Sequence, residues 1–297
     1  MTMDGFPVYE GTVIRPPSEA GSLILQVTLG CSDNGCTFCP AYKDKTFRVK
    51  ETTLLEREIE LCSRAYPDTR RIFLADGDAL ALSQEKLKKI LRLLKDRFPK
   101  LSRVSSYGSI KSLKDKSVED LRELKGLGLG TVYLGFETGD GEVYRRIRKY
   151  GSPAGNVETC LKVKGAGIKV NVTLIAGLGG KKLSVQHALN SAKILNLSKP
   201  DQIAVLTLMI APVTPLFEME KNGAFEELDG FGIIRETKTL IENLEDFKCQ
   251  FFANHASNYY PIAARFPRDK VKVLREIDLI LSSGSPGLLT PDFMRGL

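Results

Sequence analysis

Two patterns of apolar and polar positions alternate along this chain. Short runs with a period of two predict strands, and longer segments with apolar positions three and four residues apart predict amphipathic helices. The predicted strands are Ser22–Thr28, Arg71–Gly77, Arg103–Gly108, Thr131–Thr138, Lys169–Gly177 and Gln202–Ile210. The predicted helices are Glu51–Ala65, Ser83–Phe98, Ser117–Leu127, Gly141–Arg148, Ala154–Ala166, Ser184–Asn196, Gly232–Leu244 and Asp269–Ser282.

The alternation of six strands with helices predicts an α/β fold with a parallel sheet. This count alone fits either a partial (β/α)6 TIM-type barrel or an open, doubly wound sheet. The faces of the fourth predicted strand favour the partial barrel, because Val132, Leu134 and Phe136 form an apolar face while Tyr133 and Glu137 lie opposite. Polar groups on that second face need partners, which a bound ligand would supply.

The same reasoning predicts how the chain is divided. We expect an N-terminal segment over residues 1–21, a partial barrel over residues 22–216, and a C-terminal helical extension over residues 217–297. Ligands of such folds bind at the carboxyl ends of the strands. We expect the extension to close the barrel and to line a substrate pocket there.

Three of the six cysteines follow the first predicted strand with the spacing C-x4-C-x2-C, at Cys31, Cys36 and Cys39. A tight cysteine group in a reduced compartment indicates metal binding rather than disulfides. Three thiolates suit a [4Fe–4S] cluster with one iron left open for a cofactor. The alternative is a zinc site with Cys62 as fourth ligand, although Cys62 and Cys160 both follow helical core spacing.

Charge and composition limit the cellular locations and the partners that we expect for this protein. The net charge is +7, and the densest basic run is Arg145–Lys149. This run fits a nucleic-acid patch, although a solvated helix face is the commoner explanation. The first 20 residues contain no secretory signal, and no 18-residue apolar run appears, so we expect a cytoplasmic protein without a membrane span.

The cysteine triad, with Phe38 before its last cysteine, resembles the radical S-adenosylmethionine (SAM) superfamily. The stretches FLADGDAL, YLGFETGD and VTPLF are most similar to the Elp3/MiaB-type core, and the resemblance covers Ser22–Leu216. The usual spacing is C-x3-C-x2-C, one residue shorter than here. The resemblance implies that SAM chelates the open iron of a [4Fe–4S] cluster. An electron from a flavodoxin- or ferredoxin-type donor then yields a 5′-deoxyadenosyl radical, which abstracts hydrogen from an organic substrate.

The resemblance also implies a set of cofactor contacts. Asp76, Gly77 and Asp78 correspond to the motif that receives the SAM ammonium, although a strand-to-helix turn with an aspartate cap explains them too. The remaining predicted contacts are Phe38, Ser105, Ser106, Tyr107, Glu137, Arg148, Lys149, Asn171, Thr173 and Pro212. The alternative for Ser105, Ser106 and Tyr107 is a strand that simply ends in small polar residues. The alternative for Glu137 is an ion pair in the core, and for Arg148 and Lys149 it is a solvated surface.

The segment Cys249–Tyr260 mixes aromatic and hydrogen-bonding side chains. We hypothesise that His255 and Asn254 contact the substrate and that Cys249 is a weaker candidate for returning a hydrogen atom. The alternative is that its aromatic residues only anchor the extension.

The sequence as a whole therefore predicts a radical SAM enzyme acting on a small organic molecule. A radical SAM RNA-modifying enzyme and a non-catalytic iron–sulfur electron carrier or sensor remain open alternatives.

Overall fold

The computed structural model describes residues 7–296. Its strands are β1 (Leu23–Gln26), β2 (Thr28–Leu29), β3 (Arg48–Val49), β4 (Arg71–Ala75), β5 (Arg103–Gly108), β6 (Leu129–Glu137), β7 (Lys169–Ala176), β8 (Gln202–Thr207), β9 (Cys249–Ala253) and β10 (Ile262–Phe266). Its helices are α1 (Thr52–Ala65), α2 (Gln84–Arg97), α3 (Ile110–Leu113), α4 (Val118–Gly126), α5 (Gly141–Arg146), α6 (Pro153–Gly165), α7 (Gly180–Ser198), α8 (Pro215–Lys221), α9 (Gly230–Glu242) and α10 (Lys270–Ser283). Short 3₁₀ helices lie at Pro17–Glu19, Ala79–Ala81, Pro286–Leu288 and Asp292–Met294.

The main sheet has eight strands in the order β1-β4-β5-β6-β7-β8-β9-β10. The pairs β1–β4, β4–β5, β5–β6, β7–β8 and β8–β9 are parallel, and β10 runs antiparallel to β9. Strands β2 and β3 form a separate antiparallel pair. The predicted fold class, six β/α units of a partial TIM-type barrel with a C-terminal extension, is confirmed.

The extension contains strands as well as the two predicted helices. The sequence pattern predicts that the segment Cys249–Tyr260 links two helices without a strand of its own. In the structure β9 begins at Cys249 and continues the sheet beside β8. Buried Cys249, Phe251 and Ala253 alternate with Gln250 and Phe252, which are less buried. This period-two pattern covers only five residues, and polar residues follow directly, so the sequence carried a weak strand signal.

The chain divides into two compact units. The first comprises the chain up to Asn34 together with Ala41–Leu134 and Leu161–Val170, and the second comprises Gly35–Pro40, Gly135–Cys160 and the chain from Asn171 onward. The predicted boundaries at residues 21 and 216 remain predictions. Residues 1–6 of the predicted N-terminal segment and residue 297 of the extension lie outside the described residues.

A buried carboxylate fastens the N-terminal segment to the first unit. Glu19 is fully buried and accepts hydrogen bonds from the Tyr133 hydroxyl at 2.7 Å, the Arg103 guanidinium at 2.9 Å and the Ser22 hydroxyl. A buried carboxylate is stable only when its oxygens are paired in this way. The network joins the residues before β1 to β5 and β6.

None of the helices in residues 7–296 combines the length and the hydropathy that crossing a bilayer requires.

Candidate cofactor site

The loop that carries Cys31 is anchored, in the first unit, by the buried Asp76 side chain at the end of β4. One carboxylate oxygen of Asp76 accepts hydrogen bonds from the Gln26 amide at 2.8 Å, the Gly30 backbone at 3.0 Å and the Lys45 ammonium at 3.0 Å. The other oxygen has no hydrogen-bond partner among residues 7–296. The structure therefore places Asp76 where it fixes the start of the cysteine loop.

Gly77 and Asp78 lie against the same loop. A Cβ atom on Gly77 would lie 2.6 Å from the Tyr42 ring and 3.1 Å from the Cys31 Cβ, so only glycine allows this close approach. Asp78 is fully buried and accepts hydrogen bonds from the Ser32 hydroxyl at 2.5 Å and the Ser109 hydroxyl at 2.8 Å. The predicted motif after β4 thus lies against Gly30, Cys31 and Ser32.

Ser105, Ser106 and Tyr107 occupy β5, but their side chains differ in environment. Ser105 is fully buried, and its hydroxyl has no hydrogen-bond partner among the described residues. The Ser106 hydroxyl donates to the Tyr107 carbonyl at 2.9 Å. The Tyr107 ring packs edge-on against Phe73, with ring centroids 5.0 Å apart. Ser105 is therefore the member of this group with an unused polar atom to offer a ligand.

In the second unit, backbone hydrogen bonds hold the segment that carries Cys36 and Cys39. The Thr37 amide donates to the Ile147 carbonyl at 2.9 Å, and the Leu216 amide at the start of α8 donates to the Thr37 carbonyl at 3.0 Å. Phe38 packs against a buried apolar cluster that includes Ile147 and Leu216. These contacts fix the segment between the two cysteines and show Phe38 as part of the apolar packing.

Glu137 and Lys149 form a largely buried ion pair in the second unit. The Lys149 ammonium is 3.2 Å from a Glu137 carboxylate oxygen, and their side chains are 15% and 12% exposed. Burial alone lowers the pKa of Lys149, but the Glu137 carboxylate and the Cys36 sulfur outweigh it and raise that pKa above its ordinary value. The Lys149 side chain therefore stays charged. The neighbouring Arg148 is exposed.

The other predicted contacts in the second unit vary in burial. Asn171 on β7 is 2% exposed, and its side-chain oxygen has no hydrogen-bond partner among residues 7–296. Thr173 is half-buried two positions along the same strand. Pro212 is exposed in the turn after β8, where the Thr214 hydroxyl donates to the Ala211 carbonyl at 2.7 Å.

The C-terminal segment places His255 and Cys249 at opposite ends of its strand. Cys249 begins β9, which is parallel to β8, and burial raises the pKa of its thiol to about 11. His255 follows the end of β9, and its Nδ1 is 3.1 Å from the Ser257 amide nitrogen, which donates to it. Burial lowers the pKa of His255. Asn254, beside it, is exposed.

Two neighbours of His255 fasten its loop to the end of β8. Ser257 accepts a hydrogen bond from the Thr207 amide at 3.1 Å, and Asn258 accepts one from the Thr207 hydroxyl at 2.9 Å. His255 therefore lies at the carboxyl end of β8, where ligands of this fold class bind. Cys249 lies at the opposite end of these strands.

The side chains fit the predicted cofactors in three respects. The three thiols suit iron, Lys149 is a charged donor, and Ser105 and Asn171 each hold a buried polar atom without a partner among residues 7–296. Buried polar atoms normally have partners, so these two are suited to ligand contacts. No group of three His, Cys, Asp or Glu side chains in the described chain is arranged to hold a single metal ion. The assignment of the triad as cluster ligands therefore remains a prediction.

Comparison with known proteins identifies the family. The model of the "Radical SAM superfamily" matches residues 25–192, more than half of the chain. The chain belongs to the radical SAM superfamily. Radical SAM proteins use a [4Fe–4S] cluster together with SAM.

The relatives of this radical SAM chain differ in their described roles. It is 24% identical to the "Heme chaperone HemW" of Bacillus subtilis over 173 residues, which cover 57% of this chain and 45% of that protein. The methyltransferase TsrM from Kitasatospora setae, solved with cobalamin and a [4Fe–4S] cluster, has a TM-score of 0.57 at 16% identity, over 74% of this chain and 45% of that one. Elp3 from Methanocaldococcus infernus has a TM-score of 0.53 at 13% identity, over 78% of this chain and 59% of that one. The chain thus spans about half the length of the curated relative, and the structural similarities show the fold alone.

Two residues that organise this radical SAM chain have no recognisable signal in the sequence. Lys45 pairs with Asp76 across 31 positions, and His187 contacts Thr138 across 49. A lysine in a loop and a histidine in a helix carry no local signal of such pairing. Only the fold brings these partners together.

Proposed function

We propose that this protein is an enzyme that cleaves SAM reductively and uses the product to abstract a hydrogen atom from a small organic substrate. The observation that carries the proposal is the largely buried Glu137–Lys149 ion pair, within a chain of the radical SAM superfamily. When bound, the cluster and SAM supply a carbon-centred radical. We place the enzyme in the cytoplasm, with a flavodoxin- or ferredoxin-type protein as its electron donor.

In this proposal the residues of the chain bind and orient the two groups. Cys31, Cys36 and Cys39 provide three thiolates to the cluster, which leaves one iron for SAM. Lys149 donates to the carboxylate of SAM, since an ammonium is a strong donor to a carboxylate oxygen. The unpaired Ser105 hydroxyl and Asn171 carbonyl oxygen offer a donor and an acceptor for the remaining polar atoms of SAM.

His255 is proposed to contact the substrate. Its Nδ1 is occupied by the Ser257 amide, so its Nε2 carries the proton of the neutral ring and acts as a donor. For His255→Ala we expect SAM cleavage without substrate to persist, whereas conversion of the substrate fails. Loss of both would assign His255 to the fold instead.

The experiment that tests the proposed function is anaerobic reconstitution with iron and sulfide, followed by SAM and dithionite. We expect 5′-deoxyadenosine and methionine in equal amounts, detected by mass spectrometry. A reconstituted cluster without either product would favour an electron carrier or sensor. It would equally favour a heme chaperone, the role named for the Bacillus subtilis relative. Products that require RNA would favour the RNA-modifying alternative.

Asp78 provides a separate prediction for the SAM site. Asp78→Ala removes the acceptor that the Ser32 and Ser109 hydroxyls share, together with the carboxylate proposed to receive the SAM ammonium. A charge-assisted hydrogen bond contributes about 1.5–3 kcal/mol, so we expect SAM to bind roughly ten- to a hundredfold more weakly. Isothermal titration of the reconstituted protein measures this. Asp115→Ala, at a side chain 86% exposed, is the control and should bind SAM normally.

A further inference from the structure

The loop that follows β6 is held against α7 by four side chains of that helix. The Gly139 amide donates to Ser191 at 2.9 Å, and Asp140 accepts hydrogen bonds at 2.7 Å from both Gln186 and Asn190. The fourth of these residues, His187, is 2.7 Å from the Thr138 hydroxyl. The packing is tight, because a Cβ atom on Gly139 would lie 2.2 Å from the Asn190 carbonyl oxygen. This loop therefore has one position relative to α7.

The direction of the hydrogen bonds at His187 follows from its neighbours. Its Nε2 is 3.2 Å from the Ile175 carbonyl oxygen, which can only accept, so Nε2 carries the proton. In the neutral ring Nδ1 then accepts from the Thr138 hydroxyl, whose oxygen accepts from the Asp140 amide at 3.0 Å. The ring of His187, 3% exposed, thus joins the residue after β6 to a residue near the end of β7.

Two charged groups surround this ring, and both have other partners. Glu236 of α9 lies 3.6 Å from Nε2 of His187, while its two oxygens accept from the Gly177 amide at 2.7 Å and the Ser184 hydroxyl at 2.5 Å. Asp140 is bound to α7 and caps α5. Because both carboxylates accept hydrogen bonds from other groups, the hydrogen bonds of His187 itself are those to Thr138 and Ile175.

The residue beside this link has an unusual backbone. Glu137 has φ of 61°, in the left-handed region that costs a non-glycine residue on the order of 1–2 kcal/mol. Such a conformation persists only where surrounding contacts impose it. The contacts on Thr138, the next residue, supply that constraint. The same conformation directs the Glu137 carboxylate to Lys149.

We propose that His187 is a positioning residue of the cofactor site, which holds Glu137 and thereby Lys149 in place by tying Thr138 to Ile175. The inference rests on the proposed function, because it takes the Glu137–Lys149 pair as a SAM contact. It assigns to a residue of α7 a role that acts through Glu137.

The test is a double-mutant cycle on the reconstituted full chain, with the SAM dissociation constant and the melting temperature as readouts. We expect His187→Ala to weaken SAM binding by about tenfold, the scale of an outer-shell contact that orients a ligand-binding group. His187→Asn retains an acceptor for Thr138 and should recover part of that loss. In a Glu137→Gln background, His187→Ala should have little further effect on SAM binding, since both changes act through one carboxylate.

Ser198→Ala is the control, because it removes a buried hydroxyl from the same helix away from Thr138 and Ile175. A lower melting temperature with unchanged SAM affinity in His187→Ala would overturn the inference and leave a structural role. Additive effects of the His187 and Glu137 changes would overturn it as well. A wild-type protein that holds a cluster but binds no SAM would instead refute the proposed function, and the inference with it.

Discussion

Cys36→Ala should leave the protein without its iron–sulfur cluster. Cys36 is one of three thiolates predicted to hold the four irons, and two protein ligands do not retain such a cluster. We expect iron to fall from about four per chain to a trace after anaerobic reconstitution, with loss of the visible absorbance. Iron and sulfide analysis measures the change.

The other cysteines supply matched controls. Cys62 and Cys160 are buried in α1 and α6, and burial raises the pKa of the Cys62 thiol to about 11, so it remains protonated. Cys62→Ala and Cys160→Ala should retain a full complement of iron. Full iron in Cys36→Ala, or stoichiometric zinc in the wild-type protein, would contradict the assignment of the triad.

Lys149→Met should damage both stability and SAM binding. The change keeps the length of the side chain but leaves the Glu137 carboxylate mostly buried and without its 3.2 Å partner. Breaking a buried ion pair in this way costs about 3–5 kcal/mol in free energy of unfolding. Loss of the donor to SAM should weaken binding by at least about tenfold. Chemical denaturation and isothermal titration measure the two effects.

A double variant separates these two effects. Glu137→Gln combined with Lys149→Met removes both charges, so it should recover part of the stability lost in Lys149→Met while SAM binding stays weak. Lys193→Met, at an exposed position of α7, is the control and should change neither quantity. Recovery of SAM binding in the double variant would show that Lys149 matters only through its partner.

The sequence predicted a parallel strand most clearly where a short apolar run precedes an amphipathic helix. The β4 segment could be recognised in this way, as could α2 from its Ser83 cap. The strand β9 could not, because five residues with a weak alternation do not outweigh the polar loop that follows. Local patterns thus account for most of the fold.

The site was predictable where its residues form a motif and unpredictable where it depends on long-range pairing. Cys31, Cys36 and Cys39 stand within nine positions, and their spacing alone indicates iron–sulfur chemistry. The contact of His187 with Thr138 depends on where α7 packs, and Glu137, the residue before Thr138, has a positive φ. Neither has a signature in neighbouring residues.

The central claim is that the three cysteines hold a cluster whose fourth iron binds SAM. The most direct measurement is electron paramagnetic resonance of the dithionite-reduced, reconstituted protein before and after addition of SAM. We expect the signal of one reduced [4Fe–4S] cluster per chain, and a change in its g-values when SAM binds. A cluster signal that SAM leaves unchanged, with no SAM bound by titration, would contradict the account.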